Sequence, residues 1–277
     1  MKRFIIIVLS ALVFPSLSVS QKDELGVILG GTYYVGDLNP YKQYANTHFG
    51  GGILYRNNLN LRYTLRLFAN YGKVSAADST NDIAIYSNRN LHFKSKLFEL
   101  GAIFELNFFK YKPGDIKKDR STPYLFAGLN YFYMNPMAQL GDDWYDLQSL
   151  GTEGQGSSLN SKQHYKLNQI AIPLGIGFKV NATKKLCFSF EYGLRKTFTD
   201  YLDDVSGAYV NNATLREENG VLSAYFADRS IQNEGINGTN EGSMRGNPAN
   251  KDWYSFSGIA ITLVLGKETG CYDFKKR

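Results

Sequence analysis

The chain has 277 residues, 43% of them hydrophobic, with 20 tyrosines and 18 phenylalanines against 7 prolines and 2 tryptophans. Its 31 basic and 25 acidic residues give a formal net charge of +6. Beyond the first residues no segment approaches the ~18 consecutive apolar residues of a membrane helix, which excludes a helical membrane bundle. The aromatic bias favours pleated sheet. The mean hydropathy of -0.30 is what alternating barrel strands average to.

Lys2 and Arg3, the apolar run Phe4 to Phe14 and the small residues Ser18, Val19 and Ser20 before Gln21 read as a secretory signal peptide over 1–20. The expected organisation is that leader, a β-barrel over 21–266 and a tail over 267–277. Strand one is expected from about Glu24 to Gly36, with Leu25, Val27, Leu29, Tyr33 and Val35 on one face. Strand two covers about Thr47 to Arg56, where the run Gly50, Gly51 and Gly52 lets a sheet bend, and Asn57 and Asn58 form a tight turn. Strand three runs from about Asn60 to Lys73. A polar loop follows to Asn90. Strand four, about His92 to Phe109, alternates Phe98, Leu100, Ala102 and Phe104 with Glu99, Gly101, Ile103 and Glu105. A basic connection leads to strand five, about Pro123 to Tyr133, and a Gly- and Ser-rich loop spans Met134 to Gln163.

The clearest pattern follows. Ile170, Ile172, Leu174, Ile176, Phe178 and Val180 alternate with Ala171, Pro173, Gly175, Gly177 and Lys179. After a polar turn, Leu186, Phe188, Phe190, Tyr192 and Leu194 alternate with Cys187, Ser189, Glu191, Gly193 and Arg195. Successive strand side chains point to opposite faces, so this hairpin has one apolar face and one small or polar face. The longest loop is expected over 200–251, and strand eight from about Asp252 to Gly266.

Short and long connections therefore alternate between strands long enough to cross a bilayer. This predicts an all-β fold: an eight-stranded antiparallel transmembrane β-barrel, long loops outside and short turns in the periplasm. A soluble eight-stranded barrel would turn its apolar face inward and wet the other, and that other face is too poor in charge.

On the inward face, Glu24, Arg62, Arg66, Glu99, Glu105, Glu191 and Arg195 are expected to form a paired charge network. A structural plug is the favoured reading over an ion path. The histidines His48, His92 and His164 fall near the outer rim, and His164 near Ser161 is the best candidate for lipid-modifying chemistry. No spacing demands nucleophilic catalysis, so no catalytic residue and no enzyme is expected. Asp142, Asp143 and Asp146 lack the ligand spacing of a calcium loop, so no metal and no cofactor is expected.

On the turn side Lys110, Lys112, Lys117, Lys118 and Arg120 form one basic cluster, and Lys275, Lys276 and Arg277 another. Either can dock an acidic partner. Cys187 and Cys271 fall on the same side; a mutual disulfide and an intermolecular one from Cys271 both stand open.

The opening strand from Glu24 through Gly30, Gly31, Thr32, Tyr33, Tyr34, Val35 and Gly36 to Asp37, Leu38 and Asn39 resembles the PorG-like outer-membrane barrels of the Bacteroidota type IX secretion and gliding system. The resemblance implies an outer-membrane barrel in a Gram-negative bacterium that anchors a periplasmic ring, a lipoprotein and its partner. It brings no catalytic residues. Outer-membrane lipid and those ring proteins are the expected partners, and nucleic acid is not. The alternatives are a small barrel with lipid-modifying activity at the outer rim, or a purely structural barrel.

Overall fold

The computed structural model describes residues 22–42, 44–233 and 239–266. The expected leader over 1–20 and the expected tail over 267–277 lie outside them. The strands are β1 (Glu24–Val35), β2 (His48–Asn58), β3 (Tyr63–Ala77), β4 (His92–Asn107), β5 (Ser121–Leu140), β6 (Asp143–Asp146), β7 (Asn168–Asn181), β8 (Leu186–Thr197) and β9 (Trp253–Val264). Strand β6 pairs only with the end of β5. The other eight are antiparallel to both neighbours, and the pairings β1–β9 and β4–β5 close the ring. The fold is a closed eight-stranded barrel, and no described helix is long and apolar enough to cross a membrane.

The period-2 pattern decides what faces out. Leu25, Val27, Leu29, Ile53, Leu65, Leu67, Leu100, Phe104, Leu129, Ile176, Phe190 and Ile261 are all exposed. An exposed apolar surface encircling the barrel is far larger than a water-soluble monomer tolerates. The inward residues of the same strands are buried. A barrel of eight strands has room only for side chains, and here bulk on one strand meets its absence on the neighbouring strand. A Cβ at Gly177 would lie 2.4 Å from the Tyr124 ring, and one at Gly175 would lie 2.6 Å from the tip of Phe126. The glycines of β7 are sockets for the aromatic rings of β5, and this explains the small-residue face of the hairpin.

Several boundaries differ from expectation. Strand β2 continues through Asn58, whose side-chain Nδ2 donates to Glu24 Oε1 and whose Oδ1 accepts from the Thr64 hydroxyl. The turn falls later, where Asn60 Oδ1 accepts from the amides of Arg62 and Tyr63. Strand β5 runs on to Leu140 because its inward residues Phe132, Met134 and Ala138 stay apolar and join a core above the barrel. The expected loops are also folded. They contain α1 (Ala84–Arg89), α2 (Leu147–Leu150), α3 (Asn212–Glu218) and α4 (Val221–Ala227). Leu202, Val205 and Phe226 of the 200–251 segment pack with Leu38, Leu91, Phe93 and Leu147 into that same core. The loops form a cap, and the strands extend into it.

Candidate functional site

Three places collect the charged and reactive groups: the lumen, the turn end and the cap. In the lower lumen, Glu105 of β4 is the hub. Lys179 Nζ lies 2.7 Å from its Oε2, and Arg56 Nε and Arg66 Nε lie 3.1 and 3.2 Å from its Oε1. Arg66 Nη1 donates to Glu191 at 2.5 Å, and Tyr124 Oη donates to the same oxygen at 3.0 Å. Arg56 Nη1 stands 3.7 Å from Glu24, which also accepts from Thr262 at 2.6 Å. Higher up, Arg195 Nε stands 3.2 Å from Glu99, and Asn70 and Asn130 donate to the same carboxylate. An apolar layer including Ile28, Leu54, Phe68 and Ile103 lies in the same lumen. A void beside Arg66, Asn70, Glu191 and Arg195 measures about 10 Å³, about the size of one water. Four carboxylates balance four cations, so the plug is neutral and each charge has a partner.

The structure places Glu24, Arg66, Glu99, Glu105, Glu191 and Arg195 in the lumen. Arg62 is not there. It sits in the β2–β3 turn and donates through Nη1 to the Phe108 carbonyl at the turn end of the barrel, because the strand begins after it. Arg56 and Lys179, missed from sequence, take part instead. Lys179 had a signal in the sequence, since it shares its face with Gly175 and Gly177; Arg56 enters through its pairing with Glu24, which only the register between β1 and β2 reveals.

At the turn end the β4–β5 connection is ordered by Asn181. Tyr111, fully buried, donates to Asn181 Oδ1 at 2.9 Å, while Asn181 Nδ2 donates to the Lys112 and Asp115 carbonyls. Asp115 Oδ1 accepts from the amides of Lys117 and Lys118, which holds its carboxyl below the usual range. Around this frame Lys110, Lys112, Lys117, Lys118 and Arg120 are all exposed, beside exposed Phe109 and Ile116. Cys187 is buried, with Sγ 2.8 Å from Asn181 Oδ1. Cys271, Lys275, Lys276 and Arg277, and with them any pairing of Cys271, lie outside the described residues.

In the cap, Tyr34 Oη donates to Asp203 at 2.5 Å and also lies 3.0 Å from Asp252. Burial, with each carboxylate near other acids, raises the pKa of both aspartates well above the ordinary range. Burial also pushes Asp200 and Asp204 up to about 6. Arg245 spans this region, donating to Glu153 at 3.0 Å and to the Asp204 carbonyl at 2.6 Å. Arg89 and Asp78 form a two-point ion pair at 2.7 Å. His164 is exposed and its Nδ1 lies 2.7 Å from the Gln148 carbonyl. Ser161 is exposed on the same loop, and no hydrogen bond joins the two among the described residues. Asp146 accepts from Asn135.

A family profile described as a domain of unknown function, DUF6089, matches residues 2–224. The chain belongs to the DUF6089 family. No curated protein matches it. Among solved structures it is similar to Ail, the attachment invasion locus protein of Yersinia pestis, in complex with the heparin analogue sucrose octasulfate. That match has 6% identity and a TM-score of 0.42, and covers 88% of this chain and 99% of the other. Neisserial surface protein A is similar at 11% identity and TM-score 0.41, covering 88% and 97%. OprG of Pseudomonas aeruginosa is similar at 10% identity and TM-score 0.34, covering 88% and 94%. The eight-strand closure of the present chain stands on its own pairing register.

Proposed function

We propose that this protein spans the outer membrane of a Gram-negative bacterium as a non-enzymatic barrel of the type IX secretion and gliding machinery, and that its turn end anchors a periplasmic ring complex. The observation that carries the membrane part is the exposed apolar girdle, borne by the outward residues of the barrel strands. Lipid is the solvent for that surface, and a closed barrel leaves no unpaired strand edge in it. The scaffold part is supported by the likeness of the first strand to the PorG-like barrels and by the basic turn. Five exposed cations on a turn held by Asn181 and Tyr111 are a pre-organised docking surface for an acidic partner, which lowers the ordering cost of association. A lumen filled by a neutral network suits an anchor.

Affinity purification from detergent-solubilised outer membranes without reductant tests this reading. The expected result is stoichiometric recovery of a periplasmic lipoprotein and its partner. Charge reversal at Lys117, Lys118 and Arg120 is expected to abolish that recovery while the barrel still folds. A barrel recovered alone sinks the scaffold reading, and altered lipid A on His164→Ala would replace it with a rim enzyme.

A further inference from the structure

On the outer wall, the residues of β3 climb from Leu65 and Leu67 through Ala69 and Tyr71 to Lys73. Those of β4 descend from Lys94 and Lys96 through Phe98 to Leu100. Tyr71 pairs with Phe98, and one rung higher Lys73 pairs directly with Lys96. Lys94 is the next outward residue, with Nζ 3.1 Å from the Trp144 ring centroid. Like charges directly opposite one another destabilise a sheet. Among the described residues no carboxylate forms an ion pair with any of the three lysines. The acid nearest by register is Asp146, which faces Met137, itself the partner of Lys94; its carboxylate accepts from Asn135.

The vertical order is that of an amphiphile: apolar rungs, then an aromatic rung, then three cations in one place. A soluble anion would need only the cations. A lipid phosphate at their height would also lay its chains against Leu67, Leu100 and Leu129, all exposed. Lys196 on β8 gives a contrast at the same rim. Its cross-strand partners are Ile172 and Trp253, it stacks over the Trp253 ring at 5.4 Å, and no like charge opposes it.

We propose that Lys73, Lys94 and Lys96 bind the phosphorylated headgroup of an outer-leaflet lipid, whose acyl chains lie along the wall below. The inference rests on the membrane reading above. The counter-anion relieves the repulsion between Lys73 and Lys96 and fixes the orientation of this side of the barrel in the leaflet.

The test uses the full chain inserted into lipid bilayers, with bisphosphorylated lipid A as the probe and native mass spectrometry as the readout. Wild type is expected to retain the lipid. The K73Q/K94Q/K96Q variant is expected to retain it on the order of a hundredfold more weakly, since each lysine near a charged lipid surface contributes about fivefold. K196Q is expected to match wild type. Equal retention by wild type and the triple variant overturns the inference while the membrane reading stands. Equal binding of dephosphorylated lipid overturns it too. Displacement of the lipid by equimolar inorganic phosphate assigns the lysines to a soluble anion instead. A wild type that fails to insert overturns both readings together.

Discussion

Replacing Glu105 by Gln tests whether the lumenal charges behave as one unit. The carboxylate is buried, with Lys179, Arg56 and Arg66 at 2.7, 3.1 and 3.2 Å. Without its charge, three buried cations share Glu24 and Glu191, and uncompensated buried charge costs about 3–5 kcal/mol. That is a drop of about two to nearly four decades in the folded-to-unfolded ratio. Lys179→Met alone leaves Glu105 with both arginines, so its cost is that of one charged hydrogen bond, about 1.5–3 kcal/mol. Combining the two restores neutrality, leaving Arg56, Arg66 and Arg195 against Glu24, Glu99 and Glu191. The double variant is therefore expected to be more stable than Glu105→Gln alone, which requires a coupling larger than the cost of Lys179→Met, about 3 kcal/mol. Urea unfolding and refolding of the barrel in lipid vesicles measures it, with Trp144 and Trp253, the only two tryptophans, as fluorescent probes. A Glu105→Gln cost under about 1 kcal/mol, or a double variant whose cost is the sum of the singles, would refute the network.

Gly177→Ala is expected to cost about 1–3 kcal/mol by overpacking, because the added Cβ meets the Tyr124 ring at 2.4 Å. In a Tyr124→Ala background that added cost should vanish, and a persisting cost would show the glycine is needed for its backbone instead. Asp200 and Asp204 of the cap are pushed up to about 6 by burial from an ordinary value near ~3.9. Their stabilising contribution is complete below about 4 and is lost as pH rises through about 6. Hydrogen exchange of the 200–252 segment, corrected for intrinsic rates, should thus show more protection at pH 5 than at pH 8; the opposite order would contradict the assignment. Cys187, 1% exposed, should resist maleimide in the folded barrel of a Cys271→Ser variant and react on denaturation. Fast native labelling would mean the turn end opens.

What the sequence determined by itself is the barrel. Period-2 alternation in Ile170–Val180 and Leu186–Leu194 is local information, because each strand's faces are set by its own backbone. The alternation of short and long connections pointed to an antiparallel transmembrane barrel as well. It also placed Glu99, Glu105, Glu191 and Arg195 inside, since parity along one strand is enough for that. Register between strands is not local. A turn displaced to Leu59–Arg62 moved Arg62 out of the lumen, and only the pairing of Glu24 with Arg56 and the reach of Lys179 to Glu105 showed which cations replace it. The rings that fill the spaces over Gly175 and Gly177 come from another strand, β5. The cap was illegible for the same reason. Its polar loops carry few apolar residues each, and Leu202, Val205 and Phe226 become a core only when folding brings them against Phe93, Phe132 and Leu147. Local periodicity settles which residues of a strand share a face; tertiary contact alone decides which charge meets which, and which loop has something to pack against.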